Sequence, residues 1–184
     1  MDAMPPDLIT KAAEGDVRAF EEIYRRTSGF VYNVALGVVR NAADADDVTQ
    51  EVYIRVHRNL RGFGFRSALK TWLYRITMNA ALNACKRRER EAEKNVHDEV
   101  ALEQAQVEPS QGASVEAGER RDKVAELLGA LTPDHRACIV LREIEGLSYE
   151  EMADALHINI NTVRTRLKRA REALMERRER TGKR

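Results

Sequence analysis

Apolar residues recur every three or four positions along much of the chain, which is the spacing of helices that bury one face. Three segments show this pattern in the first sixty residues: DVRAFEEIYRR, GFVYNVALGVVR and DADDVTQEVYIRVHRNL. A fourth, LKTWLYRITMNAALNACKRR, follows two glycines that predict a local break. Few segments alternate with the period of two that strands require, so the chain is predicted to be all-α.

In the first of these segments, Asp16 is expected to cap the helix, because its carboxylate can accept hydrogen bonds from free amides of the first turn. The helical spacing places Val17, Phe20, Ile23 and Tyr24 on one face. These four residues are therefore predicted to face the core.

The apolar spacing fades between residues 92 and 118, whose second half is dominated by Pro, Gly, Ser, Gln and acidic residues. Such a composition buries too little apolar surface to fix one conformation, which predicts a flexible linker. The chain thus divides into a helical domain over residues 1–91, an acidic linker over residues 92–118 and a second helical domain over residues 119–184.

Capping residues mark the helix boundaries of the second domain. Ser148 and Glu151 form the S-x-x-E pattern of a capping box, and Gly146 ends the preceding helix. The next helix is expected to be capped by Asn161 or Thr162. A short helix, a turn of about four residues and a longer basic helix predict a helix-turn-helix, whose second helix fits the major groove.

The net charge of +1 conceals a strong segregation of charge. Residues 91–119 hold eight acidic side chains and one lysine, whereas residues 162–171 hold five cations and no acid. Because charge concentrated on one segment attracts a polyanion more than the average charge does, the basic segment indicates a nucleic-acid partner.

Spacings of three and four bring four polar residues of the basic helix onto one face: Arg164, Thr165, Lys168 and Arg169. Arg and Lys can pair with guanine acceptors, and Thr offers a hydroxyl and a methyl group to base edges. Arg166 and Arg171 lie off this face and are expected at phosphates. Asn161 and Thr162 would offer free backbone amides to a phosphate. A merely solvated basic helix is the alternative interpretation.

Two cysteines, Cys85 and Cys138, lie far apart without a C-x-x-C pattern, so neither a disulfide framework nor a zinc site is predicted. No segment reaches the length of an apolar membrane span, and the first residues lack the order of a signal peptide. A cytoplasmic protein without membrane insertion is expected.

Three segments in this order resemble the bacterial sigma-70 family, in its extracytoplasmic-function (ECF) group: DADDVTQEVYIRVHRNL, FRSALKTWLYRITMNAALNACKRR and LTPDHRACIVLREIEGLSYEEMADALHININTVRTRLKRARE. The resemblance implies a dissociable subunit of RNA polymerase that recognises the −10 and −35 promoter elements. It implies no active site, no cofactor and no metal, since polymerisation belongs to the core enzyme.

By this resemblance, seven residues would contact the −10 element: Phe63, Arg75, Asn79, Asn83, Lys86, Arg87 and Arg88. Phe63 resembles the wall of a pocket for an extruded base, and Asn79 resembles the residue that reads it. The −35 element would be contacted by residues of the basic helix, on its polar face and at its N-terminal end: Asn161, Thr162, Arg164, Thr165, Lys168 and Arg169. Trp72 is interpreted as core rather than as a stacking platform, and Tyr74 and Phe65 are left open between packing and DNA contact.

Asp47, Gln50 and Glu51 resemble the family's contact with the clamp helices of the largest polymerase subunit, and a solvated helix face is the alternative. The family further implies contact with the flap of the second-largest subunit and control by an anti-sigma factor.

Two other classes of function compete with this interpretation. A helix-turn-helix regulator would use the first domain for dimerisation or ligand binding and would bind duplex DNA tightly without polymerase. An enzyme acting on nucleic acid finds little support, because the four histidines show no zinc-ligand spacing.

Overall fold

The computed structural model describes residues 4–65, 67–95, 124 and 126–181, and within these ranges every regular element is helical. The helices are α1 (Pro6–Glu14), α2 (Val17–Val39), α3 (Ala42–Asn59), α4 (Leu69–Asn95), α5 (126–129), α6 (Pro133–Ile139), α7 (Tyr149–Leu156) and α8 (Ile160–Thr181). The all-α prediction is confirmed for the described residues.

Two shorter elements modify this series of helices. A 3-10 turn, Leu60–Gly62, follows α3. A π-helical segment, Val140–Ile144, extends α6, and its last bond runs from the Glu145 amide to the Val140 carbonyl at 3.0 Å.

The predicted linker is only partly visible. Helix α4 continues to Asn95, so residues 92–95 are helical rather than part of a connector. The remainder of the predicted linker, residues 96–118, lies outside the described residues.

The first domain is built on the long helix α2, which joins two segments predicted as separate helices. Asp16 caps it as expected, since its carboxylate accepts hydrogen bonds from the amides of Arg18 and Ala19. The predicted apolar face was wrong at two positions, because Val17 is 77% exposed and Tyr24 is 46% exposed.

The reason for this error is a rotation of the buried face. The residues that α2 buries in this half recur every four positions, namely Ala19, Ile23, Thr27 and Val31. At about 100° per residue, Tyr24 lies well to one side of Ile23, and Val17 lies nearly opposite Ala19. The spacing of apolar residues did not identify this buried face, because one of its residues, Thr27, is polar. Its hydroxyl is fully buried, where it donates to the Ile23 carbonyl and makes a 2.6 Å hydrogen bond with the hydroxyl of Tyr53 on α3.

The second domain packs around Leu141, Met152 and Leu167, all of which are fully buried. The predicted capping box is confirmed, since Ser148 and Glu151 hydrogen-bond each other's backbone amides. The short turn between α7 and α8 makes these helices the predicted helix-turn-helix.

The two domains also pack on each other, with α6 and α7 against α2 and α4. Arg136, which is 8% exposed, donates to the carbonyls of Leu128 and Leu131 within its own domain. It also donates to the Val38 carbonyl, in the last turn of α2. Within the described residues this cation has no carboxylate partner, and carbonyl oxygens hold it at the boundary of the domains.

Candidate nucleic-acid interfaces

One polar stripe runs along α4, where Arg75, Asn79 and Asn83 recur every four residues. Arg75 and Asn79 are half-buried, and Asn83 is exposed. The exposed cations Lys86 and Arg87 continue the stripe toward the end of the helix. None of these five has a side-chain partner within the described ranges, so their donors are available to a ligand. Most of the residues predicted for the −10 element are therefore brought together on one surface.

Arg88 differs from its neighbours because it is already paired. Its guanidinium lies 3.2 Å from the carboxylate of Asp44, at the start of α3. This exposed ion pair ties the two helices together and offsets part of the charge that Arg88 would offer to a phosphate.

A cleft of about 340 Å³ opens beside this stripe. Its walls are formed by α3, the 3-10 turn, α4 and the turn after α7: Arg55, Asn59, Gly62, Trp72, Arg75, Ile76, Asn79 and His157. The volume lies within the range of small-ligand pockets, ~300–1,000 Å³. An amide beside cations suits a nucleotide, because Asn can both donate to and accept from a base edge.

Three aromatic rings are in contact with one another, from Trp72 in the wall of this cleft to Phe65 in the wall of another cavity, beside Ile9 of α1. Phe63 stands between Trp72, at 5.2 Å between ring centroids, and Phe65, at 5.3 Å. Trp72 is 8% exposed, so its interpretation as core is confirmed. Phe63 is buried at 7% and has little surface left for a base, whereas Phe65 is 51% exposed.

Phe65, which the sequence analysis left open, is the exposed ring of this group. Its φ of 54° lies in the left-handed region, which costs a bulky residue ~1–2 kcal/mol. A strained backbone that holds an aromatic ring in water points to a function for the ring. The available signal was the F-G-F spacing, in which Gly64 also has a positive φ.

Tyr74, which the sequence analysis left open, is packed in this structure. It is 2% exposed, and its hydroxyl donates to the Glu145 carboxylate at 2.7 Å. Burial, with the adjacent carboxylate, raises the pKa of Tyr74 far above its ordinary value, so the phenol keeps its proton.

A second polar surface covers the outer side of α8. Its exposed residues are Arg164, Thr165, Lys168 and Arg169, as the spacing predicts. Val163 and Leu167 lie on the opposite side, buried against α7 and α6. Helix α8 therefore has one face buried in the domain and one exposed basic face, which is the arrangement of a helix that fits the major groove.

The cap of α8 corrects the sequence analysis. Helix α8 begins at Ile160, and Asn159 is its cap: its side-chain oxygen accepts from the Asn161 amide at 2.8 Å, and its carbonyl accepts from the Thr162 amide at 2.9 Å. Asn161 and Thr162 therefore lie inside the helix, and these two amides are not free for a phosphate. The Asn161 side chain instead accepts from Arg164 at 3.1 Å.

Arg166 and Arg171, predicted to contact phosphates, make ion pairs within the domain. Arg166 lies 3.0 Å from Asp134 of α6, and Arg171 lies 2.7 Å from Glu143 of the π-helical segment. Both ion pairs attach α8 to α6 and to the π-helical segment, so these two arginines fix the position of the exposed basic face of α8.

The third predicted surface lies on α3. Asp47 and Gln50 are exposed, and Glu51 is half-buried and accepts a hydrogen bond from Arg55. Ile54, which the sequence analysis did not single out, is 51% exposed one turn further along the helix.

Metal and membrane chemistry find no support in the part of the chain that the structure describes. No cluster of three His, Cys, Asp or Glu side chains that could hold a metal occurs there. No helix in these ranges is long and apolar enough to span a membrane.

Two family models match this chain. The model described as Sigma-70 region 2 matches residues 23–91, and the one described as Sigma-70, region 4 matches residues 121–174. The RNA polymerase sigma-H factor of Pseudomonas aeruginosa is 35% identical over 176 residues, covering 91% of this chain and 90% of that protein. The ECF RNA polymerase sigma-E factor of Escherichia coli K12 is 35% identical over 178 residues, with the same coverage.

Two solved structures have a similar fold. One is the sigma factor RpoE in complex with the anti-sigma factor NepR, from Bartonella quintana. It aligns with a TM-score of 0.70 at 26% identity, over 87% of this chain and 96% of that one. The other is CnrH in complex with the cytosolic domain of CnrY, with a TM-score of 0.66 at 25% identity, over 94% and 96% of the two chains.

The cap assignment predicts that Asn159→Ala destabilises the second domain by ~1 kcal/mol, because the Asn161 amide loses the side-chain oxygen to which it donates. Asn161→Ala should change the free energy of unfolding by less than about 0.5 kcal/mol, since it loses one exposed contact. Urea unfolding of the full chain measures both. A larger loss for Asn161→Ala would contradict the assignment.

Proposed function

Because the chain belongs to the sigma-70 family, in its ECF group, we propose that it directs RNA polymerase to promoters by reading two DNA elements with two separate surfaces. One observation supports this most strongly. A single chain carries an exposed basic face on a helix-turn-helix and, mainly on the other domain, a second polar surface. There, a cleft is lined by Trp72, by the amide of Asn79 and by Arg75, whose side chain has no partner in the described ranges. A regulator that binds only duplex DNA has no use for the second surface.

The surface on α8 would read the −35 element as duplex DNA. Placed in the major groove, Arg164, Lys168 and Arg169 can donate to guanine acceptors, and the methyl group of Thr165 can contact thymine. Asn161 and Thr162 lie in the first turn, where their side chains are suited to the flanking phosphates.

The surface on α4 would bind the −10 element as an unpaired strand. An extruded base needs a partner for its Watson–Crick edge and a surface for its ring. Asn79 supplies the first, with Asn83 one turn further along. Phe65, supported from below by Phe63, supplies the second.

The phosphates of this strand would lie along the row of cations on α4 and contact them. Arg75 stands at one end, and Lys86, Arg87 and Arg88 stand at the other. Because each contact to a phosphate releases counterions, binding along this row should weaken steeply as salt rises.

Polymerase contact is assigned to α3. The surface of Asp47, Gln50 and Glu51, extended by the exposed Ile54, would bind the clamp helices of the largest subunit, and the second domain would bind the flap of the second-largest. The chain itself would act as an initiation factor without catalytic residues, because the core enzyme performs polymerisation. It would work in the cytoplasm without inserting into a membrane.

Regulation by an anti-sigma factor is part of the proposal. Both similar structures described above contain a bound partner, which is an anti-sigma factor in one and the cytosolic domain of CnrY in the other. A protein that competes with the polymerase for this chain would keep it inactive until a signal removed that protein.

The test is co-elution of the purified chain with bacterial core RNA polymerase, followed by run-off transcription from a library of promoters. Stoichiometric binding with initiation at one defined pair of −35 and −10 sequences would support the proposal. Tight, specific binding to duplex DNA without any binding to core enzyme would favour a simple helix-turn-helix regulator.

Asn79→Ala should impair promoter opening and selectivity at the −10 element, because a base edge loses its hydrogen-bonding partner at a cost of ~1–3 kcal/mol. Permanganate footprinting of the holoenzyme on the selected promoter measures opening. Asn33→Ala, an exposed asparagine of α2, is the matched control. Loss of core binding by Asn79→Ala would show that the residue is structural.

Phe65→Gly should weaken binding of the −10 strand by ~1–3 kcal/mol, the usual worth of a base stacked on an aromatic ring. Its effect on the free energy of unfolding should be small, because relief of left-handed strain offsets the lost contact with Phe63. Fluorescence anisotropy with holoenzyme and urea unfolding measure the two. A large loss of stability with unchanged strand binding would assign the ring to packing.

Arg164→Ala should lower affinity by ~1–3 kcal/mol for the selected −35 sequence and much less for variants of it. Electrophoretic mobility shifts with holoenzyme and a panel of −35 variants measure this difference. Arg178→Ala, on the same helix beyond the exposed basic face, is the control. An equal loss of affinity for every sequence of the panel would show that Arg164 contacts a phosphate rather than a base.

A further inference from the structure

The cavity whose wall contains Phe65 opens between α1 and the 3-10 turn, with a volume of about 440 Å³. Its floor is apolar, since Ile9 is 4% exposed and Leu60 is 2% exposed. Phe65 leaves much of its ring uncovered at one side of this floor. A cavity of this size that is lined by apolar and aromatic side chains is typical of a small-ligand site.

The walls of this cavity are held in place by contacts within the domain. Nε of Arg61, in the 3-10 turn, donates to the carbonyl of Ala13 at 3.0 Å and attaches the turn to the end of α1. Gly64 and Phe65 both lie in the left-handed region, with φ of 62° and 54°. Phe63 packs against the Phe65 ring at 5.3 Å between centroids. Because these walls are already formed, a ligand loses less entropy on binding.

Two exposed residues of the cavity wall offer hydrogen-bond acceptors. Thr10 and Glu14 lie one turn apart on α1. The Thr10 hydroxyl donates to the Pro6 carbonyl at 3.0 Å, so only its lone pairs are free. Glu14 has no hydrogen bond or ion pair within the described residues, so both oxygens of its carboxylate can accept. A ligand that fits this wall must therefore donate hydrogen bonds.

Arg61 adds a cation to the same cavity. Its Nε is bonded to Ala13, and its two terminal nitrogens have no partner in the part of the chain that the structure describes. Acceptors beside an available guanidinium match a nucleotide, because a base can donate hydrogen bonds and its phosphate is an anion.

The 3-10 turn separates this cavity from the cleft beside α4. Gly62 lines the cleft, whereas Arg61 lines the cavity. The aromatic rings also connect the two, since Phe63 contacts both Trp72 of the cleft and Phe65 of the cavity. A single strand that crosses the turn can therefore place neighbouring bases on its two sides.

The acceptors of the cavity distinguish among the four bases. On its Watson–Crick edge, guanine presents two adjacent donors, N1–H and the N2 amino group, which match the two oxygens of one carboxylate. Adenine and cytosine each present one amino group there. Thymine presents one N–H between two carbonyl oxygens, which a carboxylate repels. Glu14 therefore favours guanine.

We propose that this cavity receives a second unpaired base of the −10 strand, adjacent to the base that Asn79 reads, and that it selects guanine through Glu14. The base would stack on the side of Phe65 that faces the cavity, and Arg61 would contact the phosphate between the two nucleotides. The inference rests on the proposed function, because that function brings an unpaired strand to the neighbouring cleft.

The test uses holoenzyme and −10 non-template oligonucleotides of the promoter selected by run-off transcription. The base read by Asn79 is the position at which Asn79→Ala abolishes base preference. Each nucleotide beside it is then varied through the four bases, and fluorescence anisotropy measures affinity. At one of these two positions, guanine should bind about tenfold or more tightly than thymine. Equal affinity for all four bases at both positions would overturn the inference.

Inosine at the preferred position isolates the contact to Glu14, because its base lacks only the N2 amino group of guanine. In the natural chain this replacement should weaken binding roughly tenfold, the usual effect of losing a hydrogen bond to a charged group. In Glu14→Ala, guanine and inosine should bind equally. Glu21→Ala, an exposed glutamate of α2 that lines neither cavity, is the matched control and should keep the difference. A difference that persists in Glu14→Ala would contradict the inference.

Ala13→Leu provides a second measurement, because the larger side chain fills part of the cavity and leaves Glu14 in place. It should weaken binding of the strand that carries guanine, while binding of core polymerase and of the −35 duplex stays unchanged. A loss of core binding with unchanged strand binding would show that the cavity receives a protein side chain, and the inference would be wrong.

Failure of the proposed function would give a different result. The chain would then not bind core polymerase, or Asn79→Ala would leave strand binding unaffected. Strand binding that depends on Asn79, without base preference at either neighbouring position, would contradict this inference alone.

Discussion

Helix α4 must bury apolar side chains around most of its circumference while keeping one polar stripe in water. Its buried residues contact α2 and α3 on one side and the second domain on the other: Leu69, Trp72, Leu73, Tyr74, Met78, Ala80, Ala81 and Ala84. What remains is the narrow row of Arg75, Asn79 and Asn83. A helix enclosed in this way cannot rotate or slide without exposing a large apolar area, so its few polar side chains are held in a fixed place.

The same enclosure explains why the site depends on both domains. A helix with only one buried face would leave its opposite half accessible to DNA. Helix α4 instead buries one side in the core of the first domain and another against the second domain. Tyr74 and Arg136 show how polar groups serve that boundary, one through a carboxylate and the other through carbonyl oxygens. Such contacts specify geometry while adding little net stability, because each group gives up its water.

The sequence predicted those features that depend on neighbours in the chain. The cap at Asp16, the capping box at Ser148 and the exposed face of α8 all follow from local spacing, and the structure agrees with them. Features set by distant contacts were missed. The partner of Tyr74 lies in the other domain, and Arg166 pairs with an aspartate of α6. The cap at Asn159 was missed for a different reason, because three asparagine or threonine residues stand in a short run and only the backbone conformation decides among them.

The π-helical turn after α6 has a consequence for how this chain tolerates changes in length. A π turn accommodates one residue more than an α-helical turn, and here the additional residue sets the direction in which Glu145 leaves the helix. Deleting one residue from Val140–Ile144 would restore regular α-helix and turn everything beyond it by about 100°. The carboxylate would no longer meet Tyr74, and α8 would lose its position on α6, to which Arg166 and Arg171 attach it. A single deletion would therefore disturb the packing of the second domain as well as its fixed placement on the first, of which the contact between Arg136 and the Val38 carbonyl would remain.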